Sequence, residues 1–316
     1  MKPQFKTSFK ILLLVVSIGL FAISCNKSKQ KFEKPFQEVE KDTISKTPKE
    51  KVEPPLVINY KIDSLNTSVK LDSFKKKYSE AQQKVIYAIN RIEAKKVRNG
   101  KSLVVPDTLF SDIFNYSPFP KKLDLLKDIP KTVLISQRVQ GFALYENGNL
   151  IKWGPVSSGK RSTPTPNGLH YGNYKAREKV STVDDSWLLP YYFNFMNFEG
   201  VGVHQYALPG YPASHACVRL YMDDANFIYN WAKQWELTAN GRQVHKNGTP
   251  FMVYGEYDYT SPEPWFKLAE NSTCNDISES EMKTLKEYKL AYDEDEKNIR
   301  DFNEKKEEDL LAMNLN

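Results

Sequence analysis

The chain has 316 residues, 40% of them hydrophobic, 13% aromatic and 27% charged. That is enough material for one to three folded domains with polar appendages. Its 45 basic and 39 acidic residues leave a formal charge of only +6, and no Lys/Arg cluster is interleaved with aromatics in the way that tracks a phosphate backbone. Nucleic acid is therefore not an expected partner.

At the N-terminus, Lys2, Lys6 and Lys10 precede an apolar run from Ile11 to Ile23, and Ala22-Ile23-Ser24 leads into Cys25. The run is shorter than the roughly 20 apolar residues a spanning helix needs, so it reads as an export signal. It resembles a bacterial lipoprotein signal with its lipobox, over residues 1–25, with alanine at a position where leucine is usual. The resemblance implies lipid on Cys25 and a protein held at a bilayer, exported to the periplasmic side of the cell envelope. Residues 26–55 are rich in Lys, Glu, Thr, Ser and Pro and read as a flexible tether.

A small α+β region with its connector is expected over 56–130. Phe74, Tyr78, Ala81, Val85, Ala88, Ile89 and Ile92 have the spacing of one helical face, predicting a helix over Leu71–Ala94. Val97 to Pro106 then reads as a turn and a strand. Ala88-Ile89-Asn90-Arg91, Val97, Gly100-Lys101-Ser102-Leu103 and Val105-Pro106 resemble the second half of a LysM-type peptidoglycan-binding repeat; the alternative is a structural packing beside the main domain. Pro118, Pro120 and Pro130 mark a surface connector.

From Thr132 the period changes to two. Val133–Gln137, Gly141–Tyr145 and Leu150–Trp153 read as strands, the latter two joined by a turn at Glu146-Asn147-Gly148-Asn149, and Leu169–Lys175 reads as one more. Short strands punctuated by Gly, Pro and Asn predict a mainly β sandwich over 131–257. Asp223-Asp224-Ala225-Asn226 is expected to cap a helix carrying Phe227, Ile228, Trp231 and Ala232, and Phe251–Tyr254 to form a late strand. The extension 258–316 is charged and partly helical, with a thin apolar face from Glu279 to Asp309, expected to be solvated.

The reactive side chains are concentrated between His204 and Arg219. Cys217 is the candidate nucleophile, because a thiol becomes strongly nucleophilic as thiolate and an imidazole within reach can take its proton. Two histidines compete for that role. His215 is two positions away and would share a face with Cys217 only in an extended strand, whereas His204 arrives on a separate strand. Ser214 shapes the turn, and the backbone N–H groups of Ala216 and Cys217 are candidate oxyanion donors. Arg219 either binds a substrate carboxylate or braces the loop. A Cys217–Cys274 disulfide is the plain alternative in an oxidising compartment, but it would silence the nucleophile. Zinc would need Cys274 and His245 to complete its ligands. The reading adopted has no metal and no cofactor, with His170 and His245 as structural histidines.

Val156-Ser157-Ser158-Gly159-Lys160 with Thr163-Pro164-Thr165-Pro166-Asn167-Gly168, then Gly200–His204, then Pro209–Leu220 together resemble the YkuD-type L,D-transpeptidase catalytic domain over roughly Thr132 to Glu256. The resemblance implies that Cys217 forms an acyl-enzyme with a peptidoglycan tetrapeptide stem and passes it to an amine. It implies that His204 is the base, oriented by a backbone carbonyl, and that His215 supports the loop or the oxyanion side. It also implies that the aromatic stretch Trp187–Phe195 walls the groove, making Tyr191 and Tyr192 candidate substrate contacts, with a buried core strand as the other reading of those rings; Gln205, next to the base, is a further candidate contact on the acceptor side. Two positions depart from the pattern, Ala216 and Gln205, each standing where glycine is usual. Hydrolysis of the same bonds by an L,D-carboxypeptidase or amidase, and a wall-binding lipoprotein without turnover, are the alternative functions.

Overall fold

A computed structural model describes residues 57–261 and 263–298; the expected signal, Cys25 and the tether lie outside them. All of these residues fall in one compact unit beginning at Pro54.

The first elements are β1 (Tyr60–Leu65), α1 (Ser68–Lys77), α2 (Glu80–Ile89) and β2 (Lys101–Pro106), with β1 and β2 paired antiparallel. The single helix expected over Leu71–Ala94 is two. Tyr78 is extended, and Ser79 starts α2 with a capping box in which Ser79 Oγ accepts from Gln82 N–H while the Gln82 side chain accepts from Ser79 N–H. Two otherwise orphaned N–H groups are satisfied there, which outweighs continuing the apolar spacing. Phe74, Tyr78, Ile86, Leu103 and Val105 close a small core between helices and strands.

The mainly β domain that follows contains β3 (Thr132–Ser136), β4 (Gly141–Glu146), β5 (Asn149–Pro155), β6 (Gly168–Tyr171), β7 (Tyr174–Val180), β8 (Leu188–Met196), β9 (Val201–Gln205), β10 (Val218–Leu220), α3 (Met222–Trp231), β11 (Glu236–Leu237), β12 (Val244–Lys246) and β13 (Pro250–Tyr254). A five-stranded sheet runs β5-β4-β3-β13-β6 and a four-stranded sheet runs β10-β9-β8-β7. Strand alternation explains how they pack. Val133, Ile135, Phe142, Leu144, Phe251 and Val253 point from the larger sheet onto Phe193, Phe195, Val201, Val203, Val218 and Leu220 of the smaller one and onto Ala225 and Ile228 of α3. The alternate residues Leu134, Ala143, Tyr145, Met252 and Tyr254 face the other way, into a second core with Ile89, Leu126, Trp265 and Leu285.

The strand expected over Leu169–Lys175 is divided between the two sheets. Gly172 and Asn173 form the crossing, and a Cβ at Gly172 would lie 2.6 Å from the Phe193 ring, so the chain passes too close there for any larger residue. The expected aspartate cap of α3 is also replaced. Tyr221 occupies the N-cap position without a side-chain hydrogen bond, and Asp224 instead pairs with Lys152 at 2.9 Å.

Arg91 ties the layers together. It is 2% exposed and lies at the end of α2, where its guanidinium donates to the carbonyls of Ala88, Ile89 and Val139 and sits over Trp153 and Trp265. Backbone carbonyls and two ring faces therefore offset the desolvation of a buried cation. The last described helix, α4 (Glu279–Glu294), begins in a second capping box at Ser278 and Glu281. Its Leu285 is fully buried and Arg138 holds Glu281 through two contacts of 2.9 and 2.8 Å, so this part of the extension is docked on the domain, where sequence had suggested a solvated helix.

Candidate active site

The smaller sheet sets the site. β10 runs parallel to β9, with Val218 opposite Val203 and Arg219 opposite His204. Cys217 is the residue before β10, and it enters the same cavity as His204, His215, Tyr192, Lys179 and Arg219. His204 Nδ1 lies 2.9 Å from the carbonyl oxygen of Gln205. A carbonyl can only accept, so Nδ1 carries the proton and Nε2 is left with a free lone pair. The Cys217 Sγ lies 3.8 Å from the Gly200 carbonyl, where the thiol proton is weakly held.

Burial governs the charge state of this pair. His204 is 4% exposed and its pKa is pushed down to about 4, chiefly by desolvation, with the Gln205 carbonyl opposing and Arg219 adding to the shift. Desolvation also raises the Cys217 thiol, although a Gly202 backbone hydrogen bond and the charges of Lys179 and Arg219 pull in the other direction. Burial therefore disfavours both the thiolate and the imidazolium in the resting cavity.

The turn carrying Cys217 is braced from two sides. Ala213 N–H donates to the Ser157 hydroxyl and the Ser158 carbonyl, Ser214 N–H donates to Ser158 O at 3.0 Å, and Lys160 N–H returns a bond to Ser214 O at 3.0 Å. Thr165 Oγ accepts from Gly159 N–H at 2.9 Å and donates to Ala216 O at 2.7 Å. A Cβ at Gly159 would fall 2.3 Å from Thr163 O, so the hairpin closes only around glycine. The Ser157–Thr165 segment is thus a backbone cradle for the turn. On the other side Glu93 N–H donates to Leu208 O and Tyr221 donates to Ile92 O, so the end of the first region supports the approach to the turn. Ser214 Oγ donates to the Cys217 carbonyl across the turn.

Ala216 adopts φ 80°. An L-residue there carries about 1 kcal/mol of strain that glycine would not.

His215 has a different environment. Its Nε2 is 2.9 Å from Lys160 Nζ, and its ring packs on Trp187 at 5.5 Å. An ammonium only donates, so Nε2 accepts and the ring proton sits on Nδ1, a buried atom without a hydrogen-bond partner among the described residues.

The other candidates divide. Tyr192 lines the cavity, its hydroxyl donating to Gly200 O at 2.6 Å, and Arg219 lines it with its guanidinium over the Tyr206 ring at 4.6 Å. Gln205 brings its backbone carbonyl to His204, and its side chain is not part of the cavity wall. Tyr191 does not reach the cavity: at φ 51° its ring turns to Tyr229 and lies beneath Arg177. His170 lies apart from the site, near Pro166 O and Phe195. Cys217 and Cys274 are both free thiols. Sequence reading missed Lys160 and Lys179. Lys160 sits in the quoted Gly159-Lys160 signature without a stated role, and Lys179 occupies an alternating strand with nothing to set it apart from a solvated residue.

Residues 130–264 match the YkuD family model, the L,D-transpeptidase catalytic domain, which agrees with the resemblance read over Thr132–Glu256. Among solved structures, an L,D-transpeptidase from Mycobacterium smegmatis is 18% identical, with 40% of this chain and 59% of that one covered at a TM-score of 0.32. L,D-transpeptidase 1 of Mycobacterium tuberculosis is 24% identical, with 40% and 62% covered at 0.30. An L,D-transpeptidase from Stackebrandtia nassauensis is 20% identical, with 58% and 94% covered at 0.35. The chain thus spans 59% to 62% of the length of the two mycobacterial structures. No curated protein matches the chain.

Proposed function

We propose, starting from an L,D-transpeptidase catalytic domain at residues 130–264, that this chain acylates Cys217 with a peptidoglycan tetrapeptide stem and transfers the acyl group to an amine. The observation that carries this reading is the placement of Cys217 and His204 in one cavity, with His204 Nδ1 held by Gln205 O so that Nε2 is the free base. His204 removes the Sγ proton as Sγ attacks the carbonyl of the third stem residue. The C–N bond to the terminal D-residue breaks, and that amine leaves with the proton from His204. The thioester is then attacked by an amine of a second stem or of a protein. His204 takes the proton of that amine, and the thiol is restored. The backbone N–H groups of Ala216 and Cys217 serve the developing oxyanion, Ser214 and His215 support the turn, Arg219 contacts substrate, and Tyr192, fully buried with its hydroxyl on Gly200 O, backs the cavity wall. Because burial opposes both ions, proton transfer accompanies attack and does not precede it.

In this reading the enzyme works in the cell envelope, tethered through lipid on Cys25 and the 26–55 linker. Among the described residues no helix is long and apolar enough to cross a membrane. The test is to incubate the full chain in detergent with disaccharide tetrapeptide and an acceptor amine and to read products by mass. Crosslinked dimers with release of the D-residue are expected. Trimmed monomers alone would replace transfer by hydrolysis, and an unchanged substrate would leave only wall binding.

A further inference from the structure

Two cations line the Cys217 cavity without an acidic partner. In the four-stranded order β10-β9-β8-β7, Arg219 sits on one edge strand and Lys179 on the other, yet both side chains line the same cavity. Lys179 reaches inward across β8: its Nζ lies 4.4 Å from the Tyr192 ring centroid and 4.9 Å from that of Tyr174, and it donates to the Tyr174 hydroxyl. The Arg219 guanidinium is stacked 4.6 Å from the Tyr206 centroid. Among the described residues neither forms an ion pair. Glu199 lines the same cavity but is exposed and bonded to neither.

The ring contacts fix where these head groups lie without using their hydrogen atoms. One Lys179 donor goes to Tyr174, and the remaining two, with the planar guanidinium donors of Arg219, are left for a ligand. Half-buried cations held this way favour an anion with oxygens that accept from both sides, which describes a carboxylate. A neutral amide in the same place would present one oxygen and two further donors, which the cations would repel.

We propose that Lys179 and Arg219 form a carboxylate subsite beside Cys217, with Lys179 as the residue that makes the enzyme select donor stems carrying a free carboxylate near the scissile bond over their carboxamide forms. The inference rests on the proposed transpeptidase reading for the identity of the donor. Two carboxylates of a stem are candidates: the terminal one of the leaving D-residue, and a side-chain one on the third residue.

The experiment uses the full chain and three tetrapeptides: the free acid, the terminal amide and the third-residue side-chain amide. Binding is titrated to Cys217→Ala, alone and with Lys179→Gln or Lys179→Arg added, and acylation KM and kcat are measured with the thiol present. The free acid should bind at least tenfold tighter than one of the amides, and which amide loses affinity identifies the carboxylate. Lys179→Gln should bring acid and amide within about twofold through KM and not kcat, and Lys179→Arg should restore the preference. Equal binding of all three peptides, or a preference that survives Lys179→Gln, overturns the subsite. Because binding is read without turnover, absence of acylation would overturn the transpeptidase reading alone.

Discussion

The surroundings of Cys217 and Cys274 contain similar parts put to opposite use. Each thiol is half-buried, each is raised by desolvation, and each has an arginine that lowers it in compensation. Beside Cys274, Arg138 is fully partnered: it pairs with Glu281 and donates to the carbonyls of Cys274 and Asp276 at 3.0 and 2.6 Å, fastening α4 and its approach to the sheet. Beside Cys217, Arg219 and Lys179 rest on tyrosine rings with donors in reserve, and His204 presents an unoccupied nitrogen. A thiol and a guanidinium therefore do not distinguish a site from a staple. What distinguishes them is whether the polar groups have already found partners within the fold.

The sharpest way to break this contrast is to remove the free base. His204→Gln keeps volume and a polar end but no proton acceptor of suitable basicity, and acylation should fall by about a thousandfold, measured by the single-turnover rate. A loss of tenfold or less would show that His204 is dispensable. Next is the staple itself. Arg138→Met leaves Glu281 buried without its cation and should cost about 3 kcal/mol of folding stability in denaturant titration. Arg219→Met should change stability by less than about 0.5 kcal/mol, since no partner is orphaned.

Acidification gives an effect of similar size. His204 binds a proton near 6.5 when unfolded and near 4 when folded, so the unfolded chain takes up more protons between those values. Stability should fall as pH drops through that window, by up to about 3 kcal/mol, and His204→Gln should flatten that part of the profile. Smallest is Ala216→Gly. It relieves a φ of 80° and should raise stability by about 1 kcal/mol less the added backbone entropy of glycine in the unfolded chain. A destabilised variant would mean that the turn does not store strain.

The sandwich and the Cys217 turn were legible because their signals are local. Val133–Ile135 and Phe251–Tyr254 are short apolar runs rich in β-branched and aromatic residues, bounded by Gly, Pro and Asn turns, the pattern of strands buried on both faces. His204 and Cys217 were legible as candidates because reactive residue types are rare, with only four histidines and three cysteines in the chain. What escaped depended on competition or on tertiary approach. The α1–α2 break turned on Ser79 and Gln82 forming a capping box inside a continuous helical pattern. The division between β6 and β7 turned on the closeness of the Phe193 ring to Gly172. Tyr191 and Tyr192 are neighbours of the same type on β8, and the pleat sends them to opposite faces, the first toward the inter-sheet core with Phe193 and Phe195 and the second to the cavity. Lys179 gains its meaning from a ring on the next strand, which no spacing within β7 encodes.

In the proposed reaction Cys217, and not Cys274, carries the acyl group. Intact-mass measurement of the full chain after incubation with donor tetrapeptide tests it most directly, using the wild type, Cys217→Ala and Cys274→Ala. The stem acyl adduct should appear on the wild type and on Cys274→Ala and be absent from Cys217→Ala. An adduct that persists in Cys217→Ala, or one that vanishes with Cys274, would show that Cys217 is not the nucleophile.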